Sequence, residues 1–263
     1  MAYSRHYAVI NRDFSEVNVA PLISAIEGAV YQTNLLSDDD LAHLVWLVER
    51  GYLDGLYVTH PKLAADLCKA RPDGAPITGY IDSMWRSNDK VVYGDVAYEA
   101  MNDLITPKLV GKSNVMVGIL GTGRMAITAM AVLSPLSLYI GIGSRGGNMS
   151  GMSAMAEILD RQAEIAGKRT CTAEFMNYGD LPLDAMDVIV NATPLPFAEI
   201  VPGFAPRDGQ LIVDLSGTRI SEGAICANDV RATQLGLLGY HWCPCSAHLL
   251  AGRIEKAKEY LGC

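Results

Sequence analysis

From Ser113 onward, hydrophobic and polar positions alternate in blocks. Val115 to Leu120 is a continuous apolar run, Arg124 to Leu133 reads as a helix, Leu136 to Ile142 as a second buried strand, and Ala154 to Ala166 as another helix. Phe175, Asp187 to Asn191 and Leu211 to Leu215 mark or end further strands at the same spacing. Strands alternating with helices imply an α/β fold with a parallel, doubly wound sheet and helices on both faces. The first 108 residues have a different texture. Tyr7 to Ile10 and Gly55 to Thr59 read as short buried strands, the second ended by His60-Pro61. Ser37-Asp38-Asp39-Asp40 reads as a helix start, with Leu41, Leu44, Val45 and Val48 on its apolar face. Thr78 to Ile81 and Lys90 to Tyr93 are expected to form a hairpin around Ser87-Asn88-Asp89. The pattern predicts three segments: a small mixed α/β domain over 1–108, a doubly wound domain over 109–240, and a C-terminal segment, 241–263, returning to the first domain. In that last segment a helix over Ala247 to Leu261 presents Leu250, Ile254, Ala257 and Leu261 on one face.

Ala126 to Gly143 is apolar over a length that could cross a bilayer, but Pro135 divides it between Ser134 and Ser137. Helix, short turn and buried strand is the reading adopted. The 263 residues are 50% hydrophobic and 19% charged, as in a folded globular chain. Lys and Arg number 21 against 29 Asp and Glu, a net charge of -8, which argues against nucleic acid or an anionic membrane as partner. The six cysteines are too scattered for a disulfide framework, and Met1 to His6 lacks signal-peptide order, so a cytoplasmic protein is expected. A chain of this size commonly forms a homodimer.

Gly121-Thr122-Gly123-Arg124-Met125-Ala126 follows an apolar strand and opens a helix, the context of a Rossmann dinucleotide fingerprint. Gly121 permits the tight turn, Gly123 lets backbone approach a pyrophosphate, and the helix N-terminus offers N–H groups and the positive end of its dipole. An NAD site usually places a carboxylate about 20 residues further on. Ser144-Arg145 stands there instead, a hydroxyl and a guanidinium suited to a 2′-phosphate, so NADP is expected as cofactor. Asn191-Ala192-Thr193-Pro194 and Leu215 lie at the carboxyl ends of later strands, where a doubly wound sheet lines its ligand crevice.

These residues together resemble the shikimate and quinate dehydrogenase family. Tyr57-Val58-Thr59-His60-Pro61-Lys62 is similar to its Asn-Val-Thr-x-Pro-x-Lys stretch, with lysine one residue closer to proline. Ile81-Asp82-Ser83 stands where Val-Asn-Thr is usual, and Tyr93-Gly94-Asp95 where Asn-Thr-Asp is usual. Gly121 to Ala126, Ser144-Arg145 and Asn191 to Pro194 match its cofactor elements. The resemblance implies that Lys62 and Asp95 act at the carbon exchanging hydride, where an alkoxide needs a proton donor and an alcohol an acceptor. It also implies substrate contacts from Ser15, Thr59 and Asp82.

Three departures separate the chain from that family's pattern. Its paired serines have only the displaced Ser15 in their place, Asp82 puts a charge where an asparagine is usual, and the C-terminal glutamine motif gives way to His241-Trp242-Cys243-Pro244-Cys245-Ser246-Ala247-His248. A substrate other than shikimate is therefore expected, a neutral polyol or an amine fitting Asp82 better. The Cys/His cluster lacks the second pair of a zinc site, so no metal is expected; His241 and His248 either line the substrate site or pack around Trp242. The leading expectation is an NADP-dependent dehydrogenase or reductase acting on a small, polar, cyclic hydroxy compound or its ketone. Two alternatives keep the cofactor: a reductase of imines or methylene-pterins, and a catalytically silent regulatory protein.

Overall fold

A computed structural model describes residues 5–11, 28–34, 37–71, 75–145, 149–167, 171–218 and 220–261. In chain order its strands are β1 (His6–Asn11), β2 (Ala29–Asn34), β3 (Gly55–Val58), β4 (Ser83–Ser87), β5 (Lys90–Gly94), β6 (Val115–Leu120), β7 (Ser137–Ser144), β8 (Thr172–Asn177), β9 (Val188–Asn191), β10 (Leu211–Asp214) and β11 (Ile225–Cys226). Its helices are α1 (Asp38–Glu49), α2 (Pro61–Ala70), α3 (Val96–Ile105), α4 (Arg124–Leu133), α5 (Met149–Ala166), α6 (Phe197–Ile200), α7 (Ala227–Trp242) and α8 (Ala247–Leu261). Two compact units result, one from residues 1–99 with 231–263 and one from 100–230. The sequence places its joints near 108 and 240; the chain instead passes between units within α3 and α7.

Among the described residues of the first unit, five strands form a sheet in the order β2-β1-β3-β4-β5, parallel from β2 to β3 and antiparallel beyond. One face packs Ala8, Ile10, Leu56 and Val58 against Leu41, Val45 and Val48 of α1 and Leu63 and Leu67 of α2. The other packs Tyr7, Val9, Tyr57 and Trp85 against Val96 of α3 and Leu235, Leu238 and Trp242 of α7. Helix α1 begins as the sequence suggests: the Ser37 hydroxyl accepts from Asp40 N while the Asp40 carboxylate accepts from Ser37 N, a reciprocal capping box. The hairpin strand is displaced from its expected place at Thr78 to Ile81. Asn88 and Asp89 both adopt positive φ, 48° and 62°, the two-residue turn that joins twisted strands most closely. Such a turn forces Ser87 opposite Lys90, so the strand must run back from Ser87 to Ser83.

The C-terminal segment belongs to this unit. Trp242 stacks on Tyr7 with centroids 4.5 Å apart, and its carbonyl accepts from the Tyr7 hydroxyl and from Arg5 Nη1, each at 3.0 Å. A Cβ on Gly55 would lie 2.5 Å from the Trp242 indole nitrogen, so only glycine lets the ring rest on β3. Arg253 of α8 donates to the carbonyls of Gly239 and Cys243 at the end of α7, supplying partners that a helix C-terminus lacks.

The second unit has a wholly parallel six-stranded sheet, in the order β11-β10-β9-β6-β7-β8 among the described residues. Strand β6 is followed in sequence by β7 and β8 on one side and then by β9 to β11 on the other. The order therefore reverses between β6 and β9, the switch point at which doubly wound sheets open a crevice. The apolar stretch from Ala126 to Gly143 resolves into α4, a short 3-10 turn and β7. No helix among the described residues is long and apolar enough to cross a membrane.

Candidate functional site

The glycine-rich turn lies at the switch point. Gly121 has φ of 108°, reserved in practice for glycine, and a Cβ there would lie 3.2 Å from both the Ala192 carbonyl and Thr193 Cγ2. The 121–123 and 191–194 turns thus touch, tied further by Ala192 N donating to Leu120 O at 2.9 Å. Gly123 differs in kind: its backbone is extended and a Cβ would meet nothing within 4 Å. It is the N-cap of α4 and caps the helix with no side chain. Open space beside the N-terminal end of a helix, with its free N–H groups and positive dipole end, is where a phosphate group can approach.

The second turn is held by its own side chains. Asn191, fully buried at the end of β9, donates to Leu195 O at 2.8 Å and to Asp214 Oδ1 at 3.1 Å, and accepts from Thr193 N and Oγ1. Asp214 at the end of β10 also accepts from Ser216 N and Oγ, and Leu215 N donates to the Asn191 carbonyl at 2.9 Å. Asn191, Thr193 and Leu215 are thereby fixed as a scaffold, with Ala192 and Pro194 carried between them. At the end of β7, Ser144 is buried and Arg145 exposed. Burial pushes the Tyr178 hydroxyl above the ordinary tyrosine value, and the Arg145 cation draws part of that shift back; the two residues follow Asn177 and Ser144, which pair in the sheet. Tyr178 was not singled out from sequence, because its approach to Arg145 depends on the pairing of β7 with β8.

In the first unit, the N-terminus of α3 gathers two buried carboxylates. Asp82 Oδ1 accepts from Val96 N at 2.8 Å and Oδ2 from Ala97 N at 3.3 Å. Asp95 Oδ1 accepts from Tyr98 N at 3.2 Å, and Oδ2 from the Thr78 hydroxyl at 2.5 Å. Three first-turn N–H groups and the helix dipole therefore stabilise both charges. Burial first, and then the Asp95 charge, push the Tyr98 hydroxyl up. Thr78 has no local sequence signal, being 17 residues before Asp95 and outside any motif. Both Asp82 oxygens thus have partners within the fold, which removes the reason for expecting an amine substrate from its charge.

Lys62 and Asp95 are not joined by a hydrogen bond or ion pair. Lys62 Nζ bonds Asp66 Oδ2 at 2.6 Å and its side chain is 52% exposed. It opens on a cavity of about 350 Å³ between α1 and α2, lined also by Leu41, Val45, Leu67 and Arg71. The one-residue shift in the motif explains this. Successive helix residues point about 100° apart, so Leu63, two after Pro61, turns into the core and Lys62 turns outward. Thr59 bonds the Ile10 carbonyl through its hydroxyl, pinning the end of β3 to that of β1. His241 Nε2 lies 2.6 Å from Glu99 Oε2 and stacks on Trp85, whereas His248 is exposed on α8. Ser15 lies outside the described residues. No three His, Cys, Asp or Glu among them are grouped to hold a metal.

Solved structures share this architecture over the whole chain. A shikimate 5-dehydrogenase from Listeria monocytogenes, in complex with shikimate and NAD, aligns at TM-score 0.72 and 14% identity, covering 99% of this chain and 97% of its own. A ligand-free 5-ketofructose reductase of Gluconobacter sp. strain CHM43 aligns at TM-score 0.69 and 15% identity, covering 97% and 99%. A shikimate dehydrogenase in complex with NADP+ aligns at TM-score 0.68 and 14% identity, covering 97% and 96%. No protein-family model matches the chain, and no curated protein matches it in sequence. At such identities the likeness carries the fold, and the chain has the α/β architecture of the shikimate dehydrogenases, with a doubly wound second unit.

Proposed function

We propose that the chain is an NADP-dependent oxidoreductase that transfers hydride between the nicotinamide and a small, polar, cyclic hydroxy compound or its ketone, and that this compound is not shikimate. The observation that carries the reading is the switch point: a helix N-terminus capped by Gly123, open space at that glycine, and the Asn191–Pro194 turn in contact with Gly121. Thr122, Arg124 and Met125 complete the turn that would hold the cofactor's pyrophosphate, and Ser144 and Arg145 the end that would hold a 2′-phosphate. When bound, the cofactor supplies or accepts the hydride. The partial parallel with a ketofructose reductase supports a carbonyl and alcohol chemistry.

Asp95 is the residue to which we assign the proton. Its carboxylate is buried, held by Thr78 and the first turn of α3, and so fixed in direction. Lys62, engaged by Asp66, is assigned no step. A catalytically silent NADP-binding protein is the second reading, favoured by that same displacement of Lys62. The test incubates the protein with NADP and a panel of cyclic polyols, hydroxy acids and amines while reduced cofactor is followed by absorbance. Turnover is expected, falling at least about 100-fold in Asp95→Asn and less than about 3-fold in Lys62→Ala. NADP binding without turnover on any compound supports the silent reading; NADH binding as tight as NADPH overturns the assignment to Arg145.

A further inference from the structure

The sheet of the first unit ends on a strand whose outer edge is bare. Strand β5 pairs with β4 on one side, and on its other side no strand follows among the described residues. The Asn88-Asp89 turn decides which of its main-chain groups point which way. A two-residue turn is closed by a hydrogen-bonded pair, here Ser87 with Lys90, and bonded and non-bonded pairs then alternate along the antiparallel ladder. Lys90, Val92 and Gly94 therefore turn their N–H and C=O groups toward β4, and the Gly94 carbonyl accepts from Asp82 N at 3.0 Å on that side. Val91 and Tyr93 turn theirs outward. Those two donors and two acceptors have no partner among the described residues.

Soluble proteins guard such edges with charges, proline or bulges, because an exposed row of donors and acceptors is a template for another strand. Strand β5 lacks a guard at its centre. Val91, Val92 and Tyr93 are half-buried residues of strand-favouring type, and the one charge, Lys90, stands at the end. The edge strand β8 of the second unit is built differently, with an exposed Glu174 near its middle. Side chains of β5 alternate between the two cores of the first unit: Val91 and Tyr93 lie beside that of α1 and α2, Val92 beside that of α3 and α7. A strand added at this edge extends both.

We infer that β5 is a dimerisation edge, and that its occupant is β5 of a second copy of this chain, antiparallel about a two-fold axis through Val92. The strand is complementary to itself in that register. Only residues with outward groups can exchange bonds, so Val91 meets the partner's Tyr93 and Tyr93 the partner's Val91, and every outward donor and acceptor of both strands is used. Val92 then faces the partner's Val92 as the close, non-bonded pair. Tyr93 and the partner's Val91 set an aromatic ring against a β-branched side chain, a favourable cross-strand pair. Lys90 falls opposite the partner's Gly94, which keeps the two lysines apart. Such an isologous contact closes on itself, joins the five strands of each copy into one sheet and leaves no free edge at β5. The inference goes beyond the oxidoreductase reading and does not depend on it.

The test is sedimentation of the full chain, with substitutions that read the register. Wild type is expected at twice the 28.3 kDa chain mass at about 100 µM. Val91→Pro removes an outward N–H without touching a bond to β4, and proline is tolerated on an edge of that kind. It is expected to sediment at the single-chain mass while keeping the circular dichroism of wild type. Val92→Cys sets two thiols across the axis, where the Cα atoms of a non-bonded pair are about 4.5 Å apart and within disulfide range. In a glutathione buffer it is expected to give a covalent dimer on a non-reducing gel, where wild type gives none. Val91→Cys, out of register with its own copy, is expected to give none either. If Val91→Pro fails to fold, the two cysteine variants decide the matter. A single-chain mass for wild type at about 100 µM overturns the inference and leaves the edge to a foreign strand. So does a dimer that survives in folded Val91→Pro, a Val92→Cys protein that does not cross-link, or a Val91→Cys protein that cross-links as fully.

Discussion

At the scale of single residues, charges in the first unit have structural partners that the sequence could not display. Asp82 reads from sequence as a substrate contact, yet it caps a helix that begins 14 residues later. Asp82→Ala is expected to destabilise the protein by about 2 kcal/mol and Asp82→Asn by about 1 kcal/mol, read from urea midpoints. Unchanged stability in both would return Asp82 to the substrate. Tyr7 gives a second expectation. Burial, the largest influence, pushes its hydroxyl above the usual tyrosine value, with Arg5 opposing. The folded state then holds the proton more tightly than the unfolded one. Stability is full below about pH 10, the unfolded value, and is lost as pH rises toward the folded value. Tyr7→Phe removes this alkaline loss along with one hydrogen bond, so its urea midpoint is lower at neutral pH and flatter between pH 9 and 11.

At the scale of elements, what was legible followed from local chemistry. The Ser37 cap, the α4 boundaries and the strand ending at Asn191 are each encoded within a few residues. The hairpin's turn is legible at Ser87-Asn88-Asp89, but its first strand is Ser83 to Ser87 rather than Thr78 to Ile81, because the geometry of the Asn88-Asp89 turn decides the register. Lys62 was legible as a motif residue but not as an outward one, since a one-residue shift on a helix changes its face. The glycine turn allows a prediction that separates fold from function. Gly123→Ser puts a Cβ and a hydroxyl into open space at an N-cap, where serine is favoured, so stability is expected to hold or rise by a few tenths of a kcal/mol. NADPH affinity is expected to weaken at least about 10-fold as the new side chain meets the pyrophosphate. Gly121→Ala, at φ of 108° and 3.2 Å from the Ala192 carbonyl, is expected to lower stability by about 1–2 kcal/mol as well as binding. A Gly123→Ser protein that binds NADPH like wild type would remove the helix N-terminus from the cofactor site.

At the scale of the whole molecule, the two units differ in how the chain builds them. The second is one continuous stretch, 100–230, in which β6, α4, β7, α5 and β8 alternate strand with helix, and such order is readable from periodicity alone. The first is discontinuous: its sheet comes from the first 99 residues, and one of its faces is covered by α7, more than 130 residues further on. Contacts of that separation leave no local pattern, which is why the hydrogen bond from Arg231 to the Tyr57 hydroxyl is not legible in the sequence. Trp242 is where the two ends of the chain meet, stacked on Tyr7, seated over Gly55 and 3% exposed. Truncating such a side chain is expected to remove about 3–5 kcal/mol. In calorimetry, Trp242→Ala should lower the melting temperature of the protein, while NADP should raise it through mass action. A melting temperature unchanged by Trp242→Ala would remove the indole from the core of the first unit.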